Sequence, residues 1–256
     1  MPPDPRPKRK RFGQHFLHDR GYVDRIVKAI SPRENDIVVE IGPGGGVLTK
    51  PLSTQAGRLI AVEIDRDLAA HLRHVFASND NVSIVEADAL AIDFANFGER
   101  LRVVGNLPYN ISTPLLFRLT AQRQYVSDAV FMLQKEVVDR IVAVPGNKTY
   151  GRLSVMLQCY WHVEALFRVP AGAFQPPPRV ESAIVRLSYR DPVIDAKHDS
   201  SFETLVRTAF GQRRKTLRRS LAPLMSEQAI RQCDIDPSVR PETLAVEDFA
   251  RLSLQC

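Results

Sequence analysis

The residues best suited to chemistry lie in the run Gly105-Asn106-Leu107-Pro108-Tyr109-Asn110. Asn106 offers an amide oxygen. Leu107 offers a backbone carbonyl whose direction Pro108 sets through its locked φ. Tyr109 supplies a flat aromatic face. Two acceptors beside a stacking surface suit a planar base with an exocyclic amine. Adenine N6 is such an amine, and a weak nucleophile, because its lone pair is delocalised into the ring. Accepting its N–H groups lets the nitrogen pyramidalise and aim that lone pair at an electrophile, while the extruded base stacks on the ring. A cationic methyl donor needs no strong base, since transfer relieves its charge; positioning and electrostatics then carry the rate. Alone, such a tetrapeptide is usually a turn with a packed tyrosine. Its surroundings have to decide.

Upstream stands Glu40-Ile41-Gly42-Pro43-Gly44-Gly45-Gly46, a glycine loop between a strand-like and a helix-like segment. Glycines let the backbone turn sharply and approach a ligand closely. A dinucleotide loop would want Gly at 42, 44 and 47, and residue 47 is Val. Two acids follow in order. Glu63 ends the next apolar run, placed to accept from ribose hydroxyls, and Asp88 follows the third, placed to accept from an adenine amine. One strand-end acid is most often a cap. Gly42, Gly44, Glu63 and Asp88 at a common sheet edge instead fit an adenosine ligand without pyrophosphate, which points to S-adenosylmethionine.

These residues need a scaffold. Apolar runs at 37–41, 59–65, 82–85 and 101–104 alternate with helical stretches at 47–55, 67–76 and near 94–99. The alternation predicts an α/β fold with a parallel sheet and helices on both faces. Further strands are expected at 129–133, 165–169 and 182–188, with helices at 135–143 and 153–161. Beyond a linker at 191–201 only helical patterns remain, at 202–210, 213–222 and 227–233. The expected organisation is a basic arm (1–20), a catalytic domain (21–190) and a small all-helical C-terminal domain (191–256).

At 44% hydrophobic and 25% charged, the 256-residue chain has no compositional case for disorder. Cys159, Cys233 and Cys256 form no CxxC or Cys/His cluster, so neither a disulfide framework nor a metal site is expected. No apolar run reaches membrane-spanning length and the N-terminus is Arg- and Pro-rich, which predicts a cytoplasmic protein without membrane contact. The net charge is +6 and locally concentrated. Arg6, Lys8, Arg9, Lys10 and Arg11 face the single acid Asp4. Arg207, Arg213, Arg214, Lys215, Arg218 and Arg219 fall in a stretch with no acid. Charged helical faces are commonly plain solvated surface. As clusters, Arg9 to Arg11 and Arg207 to Arg219 read as phosphate contacts that position RNA without reading bases. Arg207, Arg214 and Arg218 would share one helix face if the helix ran through Gly211, with Leu217 and Leu221 turned inward.

With these residues in view, the sequence resembles the small-subunit (16S) ribosomal RNA adenine N6,N6-dimethyltransferases. The resemblance runs from about Lys8 to Leu244. It is carried by Lys8-Arg9-Lys10-Arg11-Phe12-Gly13-Gln14-His15-Phe16-Leu17 and by matching segments at 40–46, 105–114, 131–136, 150–155, 173–180 and 212–217. It implies a Rossmann-like methyltransferase fold with a seven-stranded, mostly parallel sheet. It implies S-adenosylmethionine contacts from His15, Leu17, Gly42, Glu63, Asp88 and Asn106, and a target base flanked by Tyr109 and Phe174. The family usually carries Asn where this chain has His15; a neutral His can still donate or accept. The implied reaction is dimethylation of two adjacent adenosines near the 3′ end of small-subunit rRNA. The implied partner is the immature 30S subunit, met by a monomer.

Other readings stay open at this point. A large-subunit enzyme of the Erm type shares the chemistry, although the 174–178 loop and the 212–217 run argue against it. A DNA adenine methyltransferase would be expected to carry a sequence-reading domain, and none is visible. An assembly factor that binds immature subunits with catalysis secondary is a different class, disfavoured by the intact Asn106–Tyr109 motif. A nicotinamide dehydrogenase is disfavoured by Val47.

Overall fold

The computed structural model describes residues 15–212 and 214–255. Arg9, Lys10, Arg11 and Arg213 lie outside the described residues. The chain divides into two compact units, Met1–Lys135 with Leu166–Arg186, and Glu136–Ala165 with Leu187–Cys256.

The first unit opens with a two-residue strand, β1 (Phe16–Leu17), followed by helix α1 (Arg20–Ile30). Asp19 caps α1 by accepting from the amides of Gly21 and Tyr22. Val23, Ile26, Val27 and Ile30 recur at helical spacing and are all buried. Then come β2 (Ile37–Ile41), α2 (Thr49–Ser53), β3 (Arg58–Glu63), α3 (Arg66–Val75), β4 (Val82–Glu86), β5 (Leu101–Asn106), α4 (Ser112–Ala121) and β6 (Val126–Gln134). The alternation expected from the sequence is present; α1 and α4 were not among the expected helices. In chain order, α5 (Lys135–Ile141) and α6 (Arg152–Gln158) precede β7 (Trp161–Val169), β8 (Phe174–Gln175) and β9 (Ser182–Tyr189).

Seven strands form one sheet in the order β4-β3-β2-β5-β6-β9-β7, while β1 and β8 make a separate two-stranded pair. Strands β2 to β6 pair in parallel, with Glu40 opposite Ala61 and Val104, and Asn106 opposite Met132. Because side chains alternate across a strand, this register puts Val38, Glu40, Leu59, Glu63, Val104, Asn106, Val130 and Met132 on one face. Its apolar members join Val23, Ile26, Val27 and Ile30 of α1 and Leu52 of α2 in a continuous core. Its polar members lie toward the carboxyl edge. At the opposite edge the same face carries Arg102, held between Asp36 at 2.7 Å and Asp128 at 2.8 Å and donating to the Ile30 and Ser31 carbonyls. That clamp ties the end of α1 to β5 and β6.

The second unit contains α6, α7 (Asp199–Gly211), α8 (Leu217–Ser220), α9 (Glu227–Gln232) and α10 (Val246–Ser253). Helix α7 packs against α6, α8 and α10. Phe210 bridges Tyr150 and Phe249, with ring centroids 6.3 and 5.6 Å away. Helix α10 lies outside the sequence expectation. The expected helix at 213–222 shrinks to α8. The chain leaves the helical region at Gln212 (φ −127°, ψ 63°), and Thr216 is extended before α8 begins. Arg207, Arg214 and Arg218 therefore do not share one continuous helix face. Leu217 and Leu221 are fully buried, as expected.

Candidate active site

The glycine loop leaves β2 with positive φ at Gly42, Gly44 and Gly46. At Gly44 the requirement is twofold. Its φ is +55°, and a Cβ there would lie 3.0 Å from the Phe16 ring, so β1 rests on the loop at contact distance. The Gly44 amide donates to Glu63 Oε2 (3.1 Å) and the Asp65 amide to Glu63 Oε1 (2.9 Å). Both bonds fix the carboxylate and leave it further lone pairs for ligand hydroxyls. Burial raises the Glu63 pKa above the usual carboxylate value despite these bonds. Asp88, exposed beyond β4, turns the chain by accepting from the Leu90 amide.

Glu40 was part of the glycine motif but was not assigned a role by sequence reasoning. It is 1% exposed, and its Oε2 and the nearby Thr49 Oγ1 form no well-shaped hydrogen bond among the described residues, although the hydroxyl stands close enough to favour the ionised carboxylate and partly oppose the cost of burial. Burial, with the charge of Glu63 adding to it, lifts its pKa to about 7. The signal was available: Glu40 lies two residues after Val38 on the core-facing side of a strand, where a carboxylate is costly.

At the end of β5, Gly105 passes so close to β2 that a Cβ would meet the Ile41 carbonyl oxygen at 2.5 Å. Asn106 follows, its Nδ2 donating to the His15 carbonyl at 3.2 Å. Leu107 is 1% exposed and its amide donates to the Met132 carbonyl. The Pro108 carbonyl accepts from Ile111 and the Tyr109 carbonyl from the Ser112 hydroxyl, closing the turn into α4. The Tyr109 hydroxyl lies 3.1 Å from Ser182 Oγ at the start of β9. Sequence reasoning missed Ser182, and nothing local to it marks the contact. An added Cβ on Gly42 would lie 3.9 Å from both the Asn106 carbonyl oxygen and Pro108 Cδ. The glycine loop and the Asn-Leu-Pro-Tyr turn are thus immediate neighbours.

The segment after His15 joins these parts. Phe16 pairs with Gln175 and Leu17 with Phe174. The His15 ring lies 5.9 Å from the Tyr109 ring, tilted by 30°. Leu17 and Phe174 are each 3% exposed and belong to the core. Burying each stabilises by about 1.5–3 kcal/mol, so apolar contact holds β1 and β8 together. The structure brings His15, Leu17, Gly42, Gly44, Glu63, Asn106, Leu107, Pro108, Tyr109 and Phe174 into one region. Asp88 stands beyond the neighbouring strand. In the second unit Arg207, Arg214, Lys215, Arg218 and Arg219 are all exposed.

This arrangement has known counterparts. The chain is 53% identical over 251 residues to the ribosomal RNA small subunit methyltransferase A of Acinetobacter baylyi, covering 96% of this chain and 92% of that protein. It is 52% identical over 249 residues to the protein of the same name from Hahella chejuensis, covering 96% and 91%. Among solved structures it is similar to a dimethyladenosine transferase from Plasmodium falciparum, with TM-score 0.79, 27% identity and coverage of 93% and 96%. It is also similar to the 23S rRNA methyltransferase ErmE, with TM-score 0.72, 27% identity and coverage of 94% and 98%. The seven-stranded sheet is therefore the Rossmann-like one of methyltransferases. Residues 6–255 match the family described as ribosomal RNA adenine dimethylase. With a glycine loop, a ribose-type acid and an Asn-Leu-Pro-Tyr turn on one sheet edge, and with that match over nearly its whole length, the chain belongs to the ribosomal RNA adenine dimethylase family of methyltransferases.

Proposed function

We propose that the protein uses S-adenosylmethionine to dimethylate the N6 amines of two adjacent adenosines in the 3′-terminal hairpin loop of 16S rRNA, within the immature small subunit. The observation that carries this reading is the Asn106 amide at the end of β5, beside the Gly42–Gly44 loop and anchored by the His15 carbonyl. Identity of 50–53% to curated small-subunit methyltransferases, against 27% to ErmE, favours the small subunit over the large. The protein would act in the cytoplasm as a monomer and contribute to subunit biogenesis.

The pocket residues suit the cofactor chemically. Two buried carboxylates, Glu40 and Glu63, complement a cationic ligand. Glu63 would hold the ribose, Asp88 the adenine amine, and His15, Leu17, Gly42, Gly44 and Asn106 the remainder. When bound, S-adenosylmethionine supplies an electrophilic methyl group on a cationic sulfur. Asn106 Oδ1 and the Leu107 carbonyl accept from the target N6–H groups and turn the nitrogen lone pair out of conjugation. Pro108 fixes the direction of that carbonyl. Tyr109, held through Ser182, stacks on one face of the base. Phe174 flanks the other. Phe174 is 3% exposed, and a side-chain rotation that keeps the β1–β8 pairing would bring its ring to the base.

In this reading residues 21–190 carry catalysis. The 1–20 arm, with Arg9, Lys10 and Arg11, and the 191–256 region, with Arg207, Arg213, Arg214, Lys215, Arg218 and Arg219, hold rRNA phosphates. Arg214→Gln with Arg218→Gln is expected to weaken rRNA binding and shallow its salt dependence by about two phosphate contacts, leaving cofactor affinity unchanged. Filter binding across a salt series checks this. An unchanged slope would return both side chains to ordinary surface. The reaction itself is tested with labelled S-adenosylmethionine and small subunits from a strain lacking the modification. N6,N6-dimethyladenosine at two adjacent positions is expected. No label in small-subunit rRNA, with large subunits supplied in parallel becoming labelled, would transfer the assignment to ErmE-type chemistry.

A further inference from the structure

Residues 15–18 reach Gly44, Asn106, Tyr109 and the 173–176 segment. The Phe16 ring rests against Gly44, the His15 carbonyl accepts from Asn106 Nδ2, and the His15 ring neighbours Tyr109. β1 pairs with β8, the His18 amide donates to the Ala173 carbonyl at 2.9 Å, and the His15 ring Nδ1 lies 2.8 Å from the Pro176 carbonyl oxygen. A carbonyl can only accept, so this last bond requires a proton on Nδ1. The same argument fixes the Asn106 amide. Its NH2 must face the His15 carbonyl, which turns Oδ1 the other way, and among the described residues no hydrogen bond engages that oxygen.

We infer that His15 is a positioning residue: its ring, tied to Pro176, locks a strap whose main-chain carbonyl sets the orientation of the Asn106 acceptor. Asn106 comes from the end of β5, and its own strand does not determine which way the amide lies. Flipping it would bring two oxygens together at the 3.2 Å separation now occupied by a hydrogen bond. The strap supplies this selection only while its carbonyl stays in place. Phe16 and Leu17 anchor it from behind, and the His15–Pro176 bond anchors it at the end facing the site. The role is distinct from any direct contact of His15 with the cofactor, and it depends on a donor at the δ position rather than on an imidazole. Asparagine carries its Nδ2 at the position of histidine Nδ1, so it can make the same bond. Leucine has comparable bulk and no donor.

The inference rests on Asn106 accepting from the target amine, so the test includes readouts independent of catalysis. In full-length His15→Leu, hydrogen exchange of the 173–176 segment is expected to rise at least about tenfold. The Asn106 side-chain amide resonance, identified by its loss in Asn106→Ala, should shift. Methyl transfer at saturating cofactor should show kcat lower by about tenfold to a hundredfold, whatever the accompanying change in S-adenosylhomocysteine affinity. His15→Asn should restore all three readouts to within about threefold. Unchanged exchange and an unshifted resonance in His15→Leu would overturn the strap. So would a His15→Asn variant as impaired as His15→Leu. If wild-type protein transfers no methyl group to small-subunit rRNA, the functional reading fails, while exchange and resonance still decide the strap.

Discussion

Replacing Asn106 by alanine is expected to slow methyl transfer by about a hundredfold to a thousandfold, the usual effect of deleting one preorganised hydrogen-bonding group from a buried site. The side chain ends β5, and its Nδ2 is already committed to the His15 carbonyl, so no reorganisation is needed when a base arrives. Removing it leaves the Leu107 carbonyl as the only acceptor for the amine. The nitrogen then keeps its lone pair in the ring and presents it poorly to the methyl donor. With rRNA held mainly by phosphate contacts elsewhere, as proposed, the loss should fall on kcat. Single-turnover transfer to unmodified small subunits measures it directly. A rate within about threefold of wild type would remove Asn106 from the reaction and return the Asn-Leu-Pro-Tyr turn to a structural element.

The second large effect is on stability. Glu40→Gln is expected to stabilise the ligand-free protein by up to about 3 kcal/mol in neutral and alkaline solution, and by little near pH 4.5. In the folded chain the Glu40 carboxyl titrates at about 7, against an ordinary value of 4.5. Between those values the folded state keeps a proton that the unfolded chain has released. The unfolded state therefore binds fewer protons, and stability falls as pH rises through this window. Below it both states are protonated and the term vanishes; above it both are ionised and the full cost of the buried charge is present. Glutamine resembles the protonated acid and carries no such slope. Denaturant unfolding of both proteins at pH 5, 6, 7 and 8 gives the difference directly, with other titrating groups cancelling. Parallel pH profiles would show that Glu40 is not held protonated by its burial. A cationic ligand docked beside it would offset the cost, which is a physical reason for a carboxylate to stand at 1% exposure beneath a glycine loop.

Much of this was legible in the residue order. The β2 to β5 runs are apolar and short, bounded by turn residues, and their alternation with helices dictates a parallel sheet. A parallel sheet brings every strand's carboxyl end to one edge, so Gly42, Glu63 and Asn106 had to converge once their strands were recognised. The resemblance over nearly the whole chain added the chemistry. Local signals failed where structure depends on distant partners. Helix α1 is the exception, since its apolar stripe of Val23, Ile26, Val27 and Ile30 is a local signal. The expected helix at 213–222 gives way to a turn after Gln212, and the first amides of α8, on Leu217 and Arg218, donate to the distant Val239 and Pro237 carbonyls instead of back along a continuous helix.

By itself, then, the sequence determined the sheet, the glycine loop, the acid at the end of β3 and the amide at the end of β5. These follow from strand periodicity and from residue types at strand ends, both local properties of the chain. The remainder was settled by long-range packing. That packing joined His15 to Pro176 and Asn106, set Tyr109 on Ser182, buried Phe174 with Leu17, and left Glu40 without a well-shaped hydrogen bond for one oxygen. Each of these contacts links residues far apart in the chain, or reflects a desolvation that exists only once the core has closed. Periodicity cannot encode them, because which side chains meet across that distance is settled by packing the whole unit.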